Sequence, residues 1–243
     1  MNKNIEIIAM IYKSLDYLDL ICDQLQSNTC NVLDWSISIR IIANDATPNI
    51  INNLQNRKIA YTLYNDLKPD DYYLNRVYRC WNYAGLTSKY DNICFVNSDM
   101  VFSDNWLANL LKYHNGINIP TSRLVESGKL LSGKHAISFN CGRMPKQIDF
   151  NKWEIFAKTT VKHEMHYGGL FMPCIFEKQR FIQSGGYPEG NIYTTGIGMH
   201  NSGKVIQSGD DWYFRKLEKD YNMKHITVYD SLVYHIQEGE KDS

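Results

Sequence analysis

Neither sign of charge is in excess, with 26 Lys+Arg against 26 Asp+Glu. A nucleic-acid partner needs a local basic stripe in place of a net field, and the densest pair, Arg76 with Arg79, is too small to form one. Long apolar runs are also missing, and no window approaches the ~20 consecutive apolar residues of a membrane span. The opening run after Met1-Asn2-Lys3-Asn4 is broken by Lys13 and Asp16, too soon for the core of a secretory leader. None of the six cysteines (22, 30, 80, 94, 141 and 174) stands in a CxxC pair, so reduced, buried thiols are expected in preference to a disulfide or zinc framework. With six prolines there is no Pro/Gly/Ser-rich linker, and no repeat or low-complexity stretch divides the chain. These absences predict a single cytoplasmic domain over residues 1–243 without a transmembrane segment, and leave peripheral membrane contact open.

What is present is apolar material for one sizeable core, 44% of 243 residues. Residues 5–11 are nearly continuous apolar sequence, which suits a strand buried on both faces. Apolar residues at 15, 18, 21, 22 and 25 then form a helical stripe. Residues 37–43 read as a second strand, closed by the polar turn Asn44-Asp45-Ala46-Thr47 and a proline stop at Pro48. A helix over 72–86, a strand over 93–96 and a helix over 105–113 follow. Alternation of this kind predicts a mostly parallel sheet covered by helices on both faces. Beyond residue 115 the pattern weakens to a Gly/Pro-rich middle, a strand-like 167–175, a helix from Asp211 to about Tyr221 and a last strand over 226–235.

In such a sheet ligands sit beyond the carboxyl ends of the strands. Asp45 and Asp99 both fall at such ends, so chain order alone puts two carboxylates on one rim. A carboxylate at the end of a buried strand is costly unless neutralised, and a divalent cation shared with a diphosphate does so with one or two protein carboxylates. By spacing alone Asp99 serves equally well as a cap for the next turn.

Several segments, in order, resemble the family-2 glycosyltransferases of the GT-A fold. Residues 5–14 look like their opening strand and Thr-Tyr-Asn turn, with Tyr12 in the aromatic place. Asn44-Asp45-Ala46-Thr47 is similar to their Asp-Asp-Gly-Ser turn, which implies Asp45 as acceptor of a nucleobase hydrogen bond. Cys80-Trp81-Asn82-Tyr83-Ala84 resembles their Ala-Arg-Asn helix, and Asn97-Ser98-Asp99 their Asp-x-Asp motif. Gly185-Gly186-Tyr187-Pro188-Glu189 is similar to their acceptor-side turn, Asp210-Asp211 to the acidic pair opening a late helix, and Val233-Tyr234-His235 to the strand that delivers a metal-ligand histidine.

The resemblance implies a three-layer, Rossmann-like GT-A domain with a nucleotide-binding half (1–115) and an acceptor-binding half (116–243). It implies transfer of a hexose-like sugar from a UDP- or GDP-sugar to a glycan or other hydroxyl acceptor, with inversion, as in polysaccharide biosynthesis. Asp99 and His235 would hold Mn2+ or Mg2+, the imidazole favouring manganese. Tyr12, Asp45, Asn82, Asn97 and Ser98 would line the donor site, and Asp211 would be the general base. The departures are informative. Asn97 replaces the first motif acid, leaving Asp99 as its one charged ligand. Trp81 stands where the family has arginine, so Arg79 or Arg76 would make the phosphate contact. The stretch between Glu189 and Asp210 is longer than usual, which predicts a rebuilt acceptor site.

Two rivals remain. A sugar-1-phosphate nucleotidyltransferase would need a Gly-rich, Arg-bearing loop after the first strand, where this chain has Met10-Ile11-Tyr12-Lys13. A catalytically silent glycan- or nucleotide-sugar-binding protein of the same fold would tolerate the loss at Asn97. Residues 198–205 approach a phosphate loop but end in Val205 where a hydroxyl is required, and His163-Glu164-Met165-His166 has the wrong spacing for a zinc protease helix. Trp212, Tyr213 and Tyr187 are candidates to stack on a sugar face.

Overall fold

The computed structural model describes residues 3–29, 32–68, 73–129, 133–194, 196–198 and 204–237. Alternation along β1 (Lys3–Ile11) sets the layering: Ile5, Ile7, Ala9 and Ile11 enter one apolar cluster and Ile8 enters a second. The first cluster is closed by α1 (Leu15–Asn28), which Ser14 caps by accepting from the Tyr17 amide. β2 (Trp35–Asn44) follows, then α2 (Pro48–Arg57) on the same side and β3 (Tyr61–Tyr64). Pro48 therefore opens a helix where a stop was expected. A proline at the first helical position lacks only an N–H that would have gone unpaired anyway.

α3 (Tyr73–Thr87) packs on the opposite face, and β4 (Asn92–Val96) repeats the alternation, with Cys94 and Val96 to one cluster and Ile93 and Phe95 to the other. After β5 (Met100–Phe102) and α4 (Trp106–Tyr113), the chain enters β6 (Asn118–Glu126), inside the stretch that reads as irregular. Its polar residues are buried with partners: Thr121 Oγ1 donates to the Ile226 carbonyl and Ser122 Oγ meets Ser231 Oγ at 2.8 Å. A strand so supplied needs no apolar run.

β7 (Ile137–Ser138), α5 (Phe150–Thr160), β8 (Met165–Tyr167) and β9 (Cys174–Glu177) come next. The strand expected over 167–175 is thus two short ones separated by a connection, with Pro173 lacking a ladder N–H just before β9. α6 (Lys178–Gln183), a small sheet of β10 (Asn191–Tyr193), β11 (Gly196–Gly198) and β12 (Val205–Gln207), α7 (Gly209–Tyr221) and β13 (Lys224–His235) complete the described chain.

The main sheet has the order β3-β2-β1-β4-β9-β6-β13-β5, with β7 beside β6 and β8 beside β13. β3, β2, β1 and β4 are parallel, and β9 is antiparallel to both β4 and β6. β6 and its parallel neighbour β13 therefore run in the same direction as β4. The ends of β2, β4 and β13 share one rim, although they lie far apart in sequence. Helices α1, α2, α4 and α5 cover one face, and α3, α6 and α7 the other. Among the described residues no helix is long and apolar enough to cross a membrane.

Candidate active site

At the end of β4 the chain turns through half-buried Asn97 and Ser98, and Asp99 then leads into β5. β5 runs antiparallel to β13 with Met100 opposite His235, and the Ile236 amide donates to the Asp99 carbonyl at 3.1 Å. This pairing sets Asp99 Oδ2 3.2 Å from His235 Nε2. On the other side of β13, Glu126 is the register partner of His235 in β6, and its Oε2 accepts from Nδ1 at 3.0 Å. One imidazole is thus held between two nearly buried carboxylates. Burial alone would lower the His235 pKa, but Asp99 and Glu126 outweigh it and raise it to about 10. The same histidine draws the Asp99 carboxyl below its usual range against the opposing effect of burial. Asp99 Oδ1 is buried without any hydrogen-bond partner.

Glu126 is the residue that sequence reasoning missed. Its position in an unrecognised strand gave no signal, whereas its register opposite His235 is plain in the fold.

Asp45 follows β2 in a left-handed conformation with φ of 49°. Its Oδ1 accepts from the Asp66 and Leu67 amides at 2.9 and 3.1 Å, while Oδ2 is buried and unpartnered. Arg79, the expected phosphate contact, is buried against this loop: Nε donates to Asp66 Oδ2 at 2.5 Å and Nη2 to the Asp66 carbonyl at 3.2 Å. Arg76, one turn earlier, lies with its guanidinium 4.6 Å from the Tyr12 ring centre, and Lys13 Nζ is also 4.6 Å from that ring. Two cations, Arg76 and Lys13, therefore lie beside the aromatic at the end of β1.

Asn82 brackets the Gly185-Gly186-Tyr187 turn: Nδ2 donates to the Tyr187 carbonyl at 2.9 Å and Oδ1 accepts its amide at 2.8 Å. Gly186 has φ of +70°, and a Cβ there would fall 2.3 Å from Asn82 Oδ1, so the turn requires glycine. Asn82 thus ties α3 to the Gly185-Gly186-Tyr187 turn. From the same helix Tyr78 accepts the Asp210 amide at 3.1 Å. Asp210 and Asp211 stand in the first turn of α7. Asp211 Oδ2 accepts from Gln207 Nε2 at 2.5 Å and Oδ1 pairs with Arg215 Nε at 3.1 Å. Burial raises the Asp210 carboxyl above the ordinary range. Tyr187 and Tyr213 lie in the second apolar cluster and offer no face to a sugar; Trp212 is half-buried, with Lys216 Nζ 5.4 Å from its ring. The loop resembling a phosphate site lies mostly outside the described residues.

Among the described residues no three His, Cys, Asp or Glu side chains converge on one point as metal ligands. Asp99 and His235 nevertheless suit an open two-ligand site. Their facing atoms approach within 3.2 Å, and Asp99 Oδ1 lacks a partner. Glu126 holds the far imidazole nitrogen, as the carboxylates behind metal-ligand histidines do. Magnesium and manganese sites of this kind fill their remaining positions with phosphate oxygens and water.

No protein-family model and no curated protein matches the chain. Among solved structures it is similar to GalNAc-T7 with UDP, GalNAc and Mn2+, at a TM-score of 0.58 and 11% identity, over 96% of this chain and 44% of that one. It is also similar to the mannosyltransferase PcManGT from Pyrobaculum calidifontis in complex with GDP-Man and Mn2+, at a TM-score of 0.57 and 12% identity, over 96% of this chain and 56% of that one. The chain spans about half the length of these structures. At such identities the likeness establishes the fold, GT-A, with its mostly parallel central sheet.

Proposed function

We propose that this protein is a metal-dependent glycosyltransferase that moves a sugar from a nucleoside diphosphate sugar to a hydroxyl of a glycan or similar acceptor. The observation that carries the proposal is the chain Asp99–His235–Glu126 on the strand-end rim, with the unpartnered Asp99 Oδ1 beside it. Both structural neighbours contain Mn2+ and a nucleotide or nucleotide sugar, which supports this class of donor.

In this reading Asp99 and His235 hold Mn2+ or Mg2+, which supplies Lewis acidity for the negative charge that develops on the departing diphosphate. Asp45 presents its unpartnered Oδ2 to the nucleobase. Tyr12 offers a ring next to it, with Arg76 and Lys13 adding positive charge for the phosphates. Asn97 and Ser98 face the ribose through amide and hydroxyl groups. Asp211 takes the acceptor proton from the first turn of α7, paired with Arg215, whose exposed side chain can yield to an incoming acceptor. Attack opposite the leaving group inverts the anomeric centre. A second assignment of the base, to Asp210, is favoured by its raised pKa, which makes a carboxylate a stronger proton acceptor.

The test is a screen of UDP-, GDP- and TDP-sugars for Mn2+-dependent hydrolysis and thermal stabilisation. A donor at a hundred times its dissociation constant should stabilise the protein by about 2.7 kcal/mol. Stabilisation without hydrolysis or transfer would identify the silent binding protein. No response to any nucleotide sugar, with or without metal, would overturn the proposal.

A further inference from the structure

The sheet face covered by α7 carries a second group of polar side chains. Leu124 of β6 joins the first apolar cluster, so by strand alternation Thr121 and Arg123 lie on the opposite face, with α7. There Thr121 Oγ1 meets His225 Nε2 at 3.2 Å, and the Phe214 ring of α7 lies 4.6 Å from the same imidazole. A short connection joins α7 to β13, which runs to the rim, so α7 itself starts at the rim. Asp211 therefore stands nearer the rim than Phe214, as Arg123 does relative to Thr121. Arg123 precedes Glu126 of the rim site by roughly 10 Å of strand. Buried His225 accordingly senses Asp211 and, with the opposite sign, Lys134.

Arg40, Arg57, Arg79, Arg180 and Arg215 each pair with a carboxylate. Arg123 does not. Its Nε donates to the His135 carbonyl at 2.8 Å, and its guanidinium lies 4.0 Å from the centre of the Tyr229 ring. Among the described residues its Nη groups have no partner, and they are not sealed from solvent. Lys134 is exposed and also lacks a carboxylate partner among the described residues; its Nζ donates to the Tyr167 carbonyl at 2.6 Å, which leaves further N–H donors.

One scaffold holds both cations. His135 Nε2 reaches the same Tyr167 carbonyl at 3.1 Å, and since a carbonyl only accepts, that nitrogen carries the proton. Nδ1 of the neutral ring then accepts from the Tyr229 hydroxyl at 2.9 Å, and the His166 ring lies 4.5 Å from Tyr229. No charge on either histidine is needed. The acids on the neighbouring segments have other cations beside them: Glu164 faces Lys162 at 3.9 Å and Asp230 faces Lys112 at 3.8 Å. Two positive groups fixed by backbone carbonyls, with open N–H donors and no counter-charge, suit an oxyanion.

We propose that Arg123 and Lys134 form an anion subsite on the α7 side of the cleft, which takes the phosphate or carboxylate of an acidic acceptor saccharide. That the anion is carried by a saccharide acceptor rests on the transferase reading above; anion binding itself does not.

The test is saturation-transfer NMR on the full, metal-free chain with glucose, glucuronate and glucose 6-phosphate. At least one acidic sugar should bind at least about fivefold more tightly than glucose, and raising NaCl from about 20 mM to about 500 mM should weaken it. The preference should fall at least about threefold in Lys134→Gln, an exposed position that does not endanger folding, and further in Arg123→Gln. Arg123→Lys, which keeps the charge but loses the fork, should fall in between. On the donor side Arg76→Gln should leave the preference intact. Equal binding of the three sugars, or a preference unchanged in both Lys134→Gln and Arg123→Gln, would overturn the inference. So would a preference that Arg76→Gln abolishes, or binding through Arg123 and Lys134 of phosphatidylcholine vesicles containing phosphatidate when neither acidic sugar binds. Failure of the donor screen with the preference intact would refute transfer and support the anion site.

Discussion

Replacing Glu126 tests the most specific feature of the rim site. Glu126 touches neither the expected phosphates nor Asp99; it acts through His235, whose Nδ1 lies 3.0 Å from its Oε2. It is buried, and its strand neighbour across the ladder is His235 itself, so no water can easily take its place. Glu126→Gln keeps volume and an acceptor oxygen but removes the charge; Glu126→Ala removes both. Carboxylates behind metal-ligand histidines are typically worth about 10- to 100-fold in metal affinity. Manganese affinity, measured by isothermal titration in the presence of UDP or GDP, should therefore fall about tenfold in the glutamine variant and towards a hundredfold in the alanine variant, or about 1.4 to 2.7 kcal/mol. Thermal unfolding without metal supplies the control. Truncating one member of a buried charged group costs about 3–5 kcal/mol, so Glu126→Ala should melt well below the parent. If Glu126 served only to hold the sheet together, both variants would lose stability while the folded protein kept parental manganese affinity. That result would refute the positioning role and weaken the case for His235 as a ligand.

Three other outcomes are expected. Asp211→Asn should retain donor binding and lose about 10²- to 10⁴-fold in transfer rate, measured with saturating donor; if transfer persists and Asp210→Asn abolishes it, the base is Asp210. Asn82→Ala, which removes both bonds to Tyr187, should cost about 2–3 kcal/mol in urea unfolding, and Gly186→Ala at least about 1–3 kcal/mol because it adds a Cβ against Asn82 at positive φ. Burial lowers His114 and His225 from 6.5 to about 4, so the unfolded chain binds protons that the folded chain refuses. Their contribution to stability is complete above pH 6.5 and declines as the pH falls towards 4. His235, raised to about 10, works in the opposite sense over the same range, but two lowered histidines outweigh one, so the urea midpoint should drop between about pH 7.5 and about pH 5, and His225→Gln should shrink that drop.

Much of the first half of the fold is legible in the chain. β1, α1, β2, α3 and β4 carry periodicities of two or of three to four residues, because each element buries one face, or two, against its neighbours. α2 and β3 are hidden behind Pro48, since a proline reads as a stop unless the start of a helix is already known. β6 is hidden for a different reason. Thr121, Ser122 and Glu126 are buried there through partners more than a hundred residues away, and polar groups satisfied at that range leave no local pattern.

The candidate site divides along the same line. Chain order and the rule that ligands sit at strand ends bring forward Asp45 and Asp99, because parallel strands must end on a common rim, and the family resemblance adds His235. Only the tertiary structure set Asp99 Oδ2 against His235 Nε2 through the β5–β13 pairing, and only β6–β13 register placed Glu126 behind the same ring. It also turned Arg79 towards Asp66 and left Arg76 beside Tyr12. Periodicity is written by interactions within a few residues along the chain. Which side chains meet at the end of a sheet is decided by strand pairing across its whole width, and pairing across that width is a property of the folded molecule.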